Sequence, residues 1–125
     1  MLEDWNAGLV KHLGIEFVEV TKERVAAQLK VREELLTTTA TVHGGALMAF
    51  ADTIGAAGTA ANLAPGQSTA TLESKTNFFA ACSGGTLRAE STPLHRGKRT
   101  QVWQTRITDD SGKLLSLTIQ TQVVL

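Results

Sequence analysis

A chain of 125 residues with twelve basic and twelve acidic side chains has no overall field to hold nucleic acid or an anionic membrane, although a local cluster of Lys and Arg can still meet a small polyanion. The length fits one domain, residues 1–125, able to bury roughly two thirds of the surface its unfolded form exposes. The lone Cys82 excludes an intramolecular disulfide, and the opening Met1-Leu2-Glu3-Asp4-Trp5 lacks the basic and apolar regions of a signal peptide, so a reducing cytoplasm is the expected setting.

Trp5, Leu9 and Leu13 recur at helical spacing, which predicts a short amphipathic helix over Glu3–Leu13 ending near Gly14. The period then changes. Ile15, Phe17, Val18 and Val20 read as a first strand, and Val25, Ala27, Leu29 and Val31 alternate with polar neighbours as a second, with Thr21–Glu23 turning the hairpin. From Val42 the pattern is helical again, and Leu47, Phe50, Ala51, Ile54, Gly58 and Ala61 share one face, which should lie on a sheet. The opposite side holds Gly45, Met48, Asp52, Gly55 and Thr59, small or apolar where a solvated helix would carry Lys and Glu. Gly44–Ala64 is long enough to raise the question of a membrane span, but Asp52, Asn62 and the threonines interrupt it, so it reads as a buried helix.

Four strand-like runs follow Pro65-Gly66: Ser68–Phe79, Thr86–Leu94, Thr100–Thr108 and Leu114–Leu125. Turn-forming residues separate them, and Pro93 suits an edge or a bulge. The last run alternates most strongly, with Leu115, Leu117, Ile119, Thr121 and Val123 on one face and Ser116, Thr118, Gln120 and Gln122 on the other. This order of elements predicts an α+β fold, an antiparallel β-sheet wrapped around one long central α-helix. A single sheet leaves the far side of that helix open, so its small-residue face calls for a second subunit.

The chemistry concentrates in His43-Gly44-Gly45 and Asp52. Two glycines opening a helix allow close approach to backbone N–H groups at the positive end of the helix dipole, an oxyanion site in outline. A carboxylate eight residues on lies roughly 12 Å further along the same helix, so one reacting carbon cannot easily meet both from one chain. Sharing the site between subunits, Gly44 of one against Asp52 of the other, resolves the distance. Other catalytic patterns are missing: three His and one Cys lack zinc-ligand spacing, no Gly-rich nucleotide loop follows a strand, and there is no GxSxG elbow.

His43-Gly44-Gly45 through Asp52, followed by Thr71-Leu72-Glu73-Ser74-Lys75-Thr76-Asn77-Phe78-Phe79, resembles the hotdog-fold acyl-CoA thioesterases of the PaaI-like group, over about Gly14 to Val124. The chain is similar also to the 4-hydroxybenzoyl-CoA thioesterases, which carry Glu at the carboxylate position. The resemblance implies that the Gly44 N–H polarises the thioester carbonyl while Asp52 activates water or attacks directly. It implies that His43 shapes the helix entry or contacts the thioester, beside Gly45, and that Thr71 lies near the carboxylate. Thr37 stands six residues before His43, where related enzymes commonly carry Gln or Asn, and its hydroxyl has a shorter reach.

By the same resemblance, His95-Arg96-Gly97-Lys98-Arg99-Thr100 receives the nucleotide end of coenzyme A, while Asn77, Phe78 and Phe79 line the pantetheine or acyl path. The expected substrate is an acyl-CoA, with an aromatic acyl group such as phenylacetyl or hydroxybenzoyl ahead of a medium-chain one. No metal or cofactor is implied beyond the CoA of the substrate, and a homotetramer built as a dimer of dimers is expected. Two alternatives stand beside hydrolysis. An enoyl-thioester hydratase would need a His paired with Asp or Glu, which the long helix lacks; a noncatalytic acyl-CoA binder would accord with Thr37 in place of Gln or Asn.

Overall fold

The alternating runs become six strands in a computed structural model, which describes residues 5–125. The strands are β1 (Glu16–Val20), β2 (Val25–Lys30), β3 (Thr69–Phe78), β4 (Thr86–Arg96), β5 (Thr100–Thr108) and β6 (Leu114–Val124). They form one sheet in the order β1-β2-β4-β5-β6-β3, with every neighbouring pair antiparallel. Helix α1 (Gly8–Leu13) precedes the sheet, and α2 (Gly44–Ala61) lies across it between β2 and β3.

The first helix is shorter than its periodicity suggests. The backbone is extended at Ala7, φ −149°, so the helix begins only at Gly8, and Trp5 packs edge-on against Phe17 with ring centroids 6.1 Å apart. Glu3 and Asp4, assigned to that helix from sequence, lie outside the described residues. Gly14 ends it in the left-handed region at φ 82°, where an L side chain would be strained. At the other hairpin end, β4 runs two residues past Leu94. A bulge between Pro93 and His95 accommodates the proline, and pairing resumes as His95 with Val102 and Arg96 with Gln101.

Leu47, Phe50, Ala51 and Ile54 of α2 are buried against Val25, Leu29, Leu87, Ile107 and Leu115 of the sheet. Phe50 is fully enclosed, so its truncation to Ala should cost about 3–5 kcal/mol. Two glycines set how closely the helix approaches: a Cβ at Gly58 would come within 2.6 Å of the Trp103 ring, and one at Gly55 would collide with the Gln120 amide. Gly55 and Thr59 are therefore buried, not part of an open face as their wheel positions suggest. The open stripe of α2 is confined to Gly45, Met48 and Asp52, with Met48 38% exposed.

Strand β6 departs from the simplest expectation about which side faces inward. Its polar set, Ser116, Thr118, Gln120 and Gln122, is fully buried, while Ile119 on the apolar side is 37% exposed. At the far end of the sheet, Asp110 staples the β5–β6 turn to β4. Its Oδ1 accepts from Arg88 Nη1 at 2.7 Å and its Oδ2 from the Thr86 N–H at 3.2 Å. The Arg88 contact, helped by the Thr86 N–H, holds this carboxyl below the ordinary value of 3.8. Among the described residues no helix is long and apolar enough to cross a membrane.

Candidate active site

Asp52 is the only charged residue of α2 and sits half-buried beside the edge strand β3. One of its carboxylate oxygens is held from two directions. Thr71 Oγ1 of β3 donates to Oδ1 at 2.6 Å, and Gln120 Nε2 of β6 donates to the same oxygen at 3.2 Å. The Gln120 amide also donates to the Asp52 carbonyl at 3.2 Å, so it clasps the residue's main chain and side chain together. Gln122 extends the network: its Nε2 donates to Thr71 Oγ1 at 2.6 Å, and its Oε1 accepts from Thr69 Oγ1 at 3.0 Å. Among the described residues no donor reaches Asp52 Oδ2, which leaves that oxygen to accept a proton or attack carbon.

The N-terminus of α2 supplies the second half. His43 is the N-cap, and its Nδ1 accepts from the Gly45 N–H at 2.8 Å, which places the ring proton of a neutral His43 on Nε2. The Ala46 and Leu47 N–H groups both donate to the His43 carbonyl, at 2.9 and 3.2 Å. Within the first turn this leaves the Gly44 N–H without an acceptor among the described residues, at the positive end of the helix. A Cβ at Gly44 would come to 3.2 Å from the Phe78 ring, so the glycine lets this aromatic lie directly over the helix start. Phe78 and Phe79 are 51% and 57% exposed. A cleft of about 300 Å³ between α1 and α2, lined by Leu9, Leu13, Leu36, Ala46 and Ala49, opens beside His43 and Gly45.

Gly44, Gly45, His43 and Phe78 thus gather at one end of α2, and Asp52 with Thr71 two turns along it. Three further residues named from sequence make their contacts within the chain away from this cluster. Asn77 pairs in register with Leu117, and strand alternation puts both on the outer face of the sheet, opposite α2. Thr37 spends its hydroxyl within its own turn, at 2.9 Å from Thr39 Oγ1 and 3.2 Å from Thr41 Oγ1. Arg96 is likewise engaged: its guanidinium donates to the Lys22 carbonyl at 3.0 Å and to Asn62 Oδ1 at 3.4 Å, and pairs with Glu23 at 3.6 Å.

Those contacts tie the β4–β5 turn to Asn62, the C-cap of α2, at the helix end opposite Gly44. His95, Lys98 and Arg99 of that turn are exposed, and Thr100 is half-buried at the start of β5. Among the described residues Lys98 and Arg99 have no salt-bridge partner. Gln120 and Gln122 are the site residues that sequence reasoning missed. Their signal was the unbroken polar alternation of β6, which only makes sense as an inward face if something buried needs donors. No group of three His, Cys, Asp or Glu residues gathers as a metal site among the described residues.

The family model of the thioesterase superfamily matches residues 39–116, a span that runs from the turn before His43 through α2, β3, β4 and β5 to the start of β6. The chain belongs to the thioesterase superfamily. It is similar to 1,4-dihydroxy-2-naphthoyl-CoA hydrolase of Listeria monocytogenes, with 34% identity over 88% of this chain and 89% of that protein. It is similar also to the proofreading thioesterase EntH of Cronobacter turicensis, with 31% identity over 84% of this chain and 77% of that one. The crystal structure of a thioesterase from Haemophilus influenzae superposes with a TM-score of 0.94 at 28% identity, covering 98% of this chain and 86% of that one. This thioesterase is accordingly a thioester hydrolase on the hotdog fold, the α+β arrangement expected from the order of its elements.

Proposed function

We propose that this thioesterase hydrolyses acyl-CoA with Asp52 as its carboxylate catalyst and the Gly44 N–H as its oxyanion donor. The observation that carries the proposal is the one-sided grip on Asp52, in which Oδ1 takes both protein donors and Oδ2 takes none among the described residues. In the water route, Oδ2 accepts a proton as the water oxygen attacks the thioester carbon. Charge then collects on the carbonyl oxygen, which the Gly44 N–H stabilises. Collapse breaks the C–S bond, and the thiolate of CoA takes up the proton. In the direct route, Oδ2 itself attacks, the C–S bond breaks, and water hydrolyses the resulting anhydride. Carboxylate, amide and water supply every group in both routes, so we propose no cofactor beyond the CoA of the substrate.

The site is shared between two chains in this reading. Gly44 and Asp52 are separated by two turns of one continuous helix, roughly 12 Å. A partner that brings its Asp52 opposite Gly44 would cover Met48, Leu72 and Phe78, which are 38%, 61% and 51% exposed along α2 and the edge strand β3. A homotetramer arranged as a dimer of dimers, working in the cytoplasm, completes the proposal. The cleft beside His43 suits an acyl group of moderate size, and the similarity to a naphthoyl-CoA hydrolase favours an aromatic one. Lys98 and Arg99, exposed and without a salt-bridge partner among the described residues, are the cations for the CoA phosphates, and His95 and Thr100 flank them.

Two experiments test this reading. Thiol release over a panel of aromatic and medium-chain acyl-CoA esters should show turnover above an Asp52→Asn blank. Tight binding without turnover on the whole panel would instead indicate a noncatalytic acyl-CoA binder. Mixing Asp52→Asn chains with Gly44→Pro chains, which lack the donor N–H, should form hybrids in which some sites hold both intact halves and activity returns. Proline fits the first position of a helix, and circular dichroism and sizing of each parent establish that it folds. Co-assembled hybrids no more active than their parents would place the whole site within one chain.

A further inference from the structure

Gln120 is 0% exposed, and its side-chain amide is spent on a single residue. One contact of Nε2 goes to the Asp52 carbonyl and one to Oδ1, each at 3.2 Å, so the two donors of the amide fix the aspartate's backbone and its carboxylate in one grip. The other end of the amide gains nothing comparable: Oε1 is buried without a hydrogen-bond partner among the described residues. A core-filling Leu or Met at this position would bury the same volume without stranding an acceptor.

The helix makes room for the amide at one position. Gly55 is buried three residues beyond Asp52, and a Cβ there would strike Gln120 Oε1 and Cδ and stand 2.8 Å from Nε2. Glycine inside a helix is worse than alanine unless something needs the space. Here the space is filled by the group that holds Asp52.

We propose that Gly55 and Gln120 act as one positioning unit for Asp52: the glycine admits the amide against α2, and the amide fixes Oδ1 so that Oδ2 is presented to the thioester. Neither residue touches substrate in this scheme; both act through Asp52. The proposal rests on the reading of Asp52 as the catalytic carboxylate.

The test uses the full chain and thiol release from one acyl-CoA ester that the native enzyme turns over. Gln120→Leu keeps the volume and removes both donors; Gly55→Ala keeps the amide but denies it its place. Each should lower kcat by about tenfold while KM stays within about twofold, the loss expected of one hydrogen bond to a charged group. Because both act through Asp52, Gln120→Leu should cause no further loss in an Asp52→Asn background. In a Gln120→Ala background, which opens the space, Gly55→Ala should likewise cost nothing more.

Native kcat in folded Gln120→Leu or folded Gly55→Ala, with Asp52→Asn inactive, overturns the proposal and leaves the catalytic reading intact. Native kcat in Asp52→Asn overturns the catalytic reading itself, whatever the other variants do. Should Gly55→Ala fail to fold, recovery of folding in Gly55→Ala/Gln120→Ala supports the steric half, and failure of that double variant overturns it. Gln120→Leu then decides the positioning half by its kcat. A loss in Gln120→Leu that persists undiminished in the Asp52→Asn background marks a general packing role and overturns the proposal.

Discussion

Replacing Asp52 with Asn should separate chemistry from scaffolding more cleanly than any other single change. The asparagine carbonyl can take the place of Oδ1 and keep the bonds from Thr71 at 2.6 Å and Gln120 at 3.2 Å. Each bond becomes neutral and loses about 1 kcal/mol at most, a loss partly offset because no charge remains half-buried. The melting temperature should therefore move by a few degrees. At the open position the change is absolute, since Nδ2 donates where Oδ2 accepted, and an amide neither takes a proton from water nor attacks carbon. Turnover should fall by at least about a hundredfold, about 2.7 kcal/mol of barrier. A thiol-reactive dye at saturating acyl-CoA reads the rate, and circular dichroism with a thermal melt checks the fold. Asp52→Ala should be as inactive but less stable, because it leaves the Gln120 amide and Thr71 hydroxyl without their acceptor. Folded Asp52→Asn turning over within a few-fold of the native enzyme would refute the assignment of this carboxylate.

Thr71→Val preserves shape and strand propensity but removes the donor to Oδ1 and the acceptor of Gln122, so kcat should fall by about tenfold in steady-state kinetics, less than in Asp52→Asn. Replacing Lys98 and Arg99 with Ala should raise KM for CoA esters by up to about fivefold per residue, as for exposed ion pairs, and leave KM for pantetheine esters unchanged; equal effects on both esters would make the turn merely structural. Arg96→Ala should show itself first in a lower melting temperature, because its contacts go to Lys22, Asn62 and Glu23. Asp110 has a folded-state carboxyl held below 3.8, so its contribution is present above that value and is lost as pH falls through the lower folded value. Denaturant melts of native enzyme and Asp110→Asn should thus differ at about pH 6 and converge at about pH 2.

The strands were readable where alternation survives, most cleanly in β2 and β5, and α2 because Leu47, Phe50 and Ile54 recur on one face. Thr71 could be placed near Asp52 through resemblance, and the two are in contact. What the sequence left hidden has physical causes. Gly55 and Thr59 fall on the open side of a helical wheel, yet both are buried, and for Gly55 a wheel cannot show that Gln120 of a neighbouring strand reaches over with a long side chain. Asn77 is adjacent to Phe78 in sequence and therefore on the opposite side of the sheet from it. Arg96 reads as one cation of a basic run, yet the folded turn brings the Lys22 carbonyl and Asn62, far away in sequence, within its reach.

The facing of β6 follows from α2. An 18-residue helix with one charged side chain, half-buried, obliges whatever packs beside it to supply donors, because a carboxylate removed from water without them is costly. Only two strands flank that position on the side of Asp52, the edge strand β3 and its neighbour β6. β3 supplies Thr71, but a threonine hydroxyl is short and donates once. Gln120 adds a longer arm with two donors, and Gln122 gives Thr71 a donor of its own, so that the threonine's single proton is directed at Oδ1. For these residues to face inward, the alternation of β6 must put Leu117, Ile119 and Val123 outward, against the usual preference for burying the apolar side. A lone acid on a small-residue helix, read together with an all-polar strand face, therefore locates this carboxylate site where either pattern alone would be taken for surface.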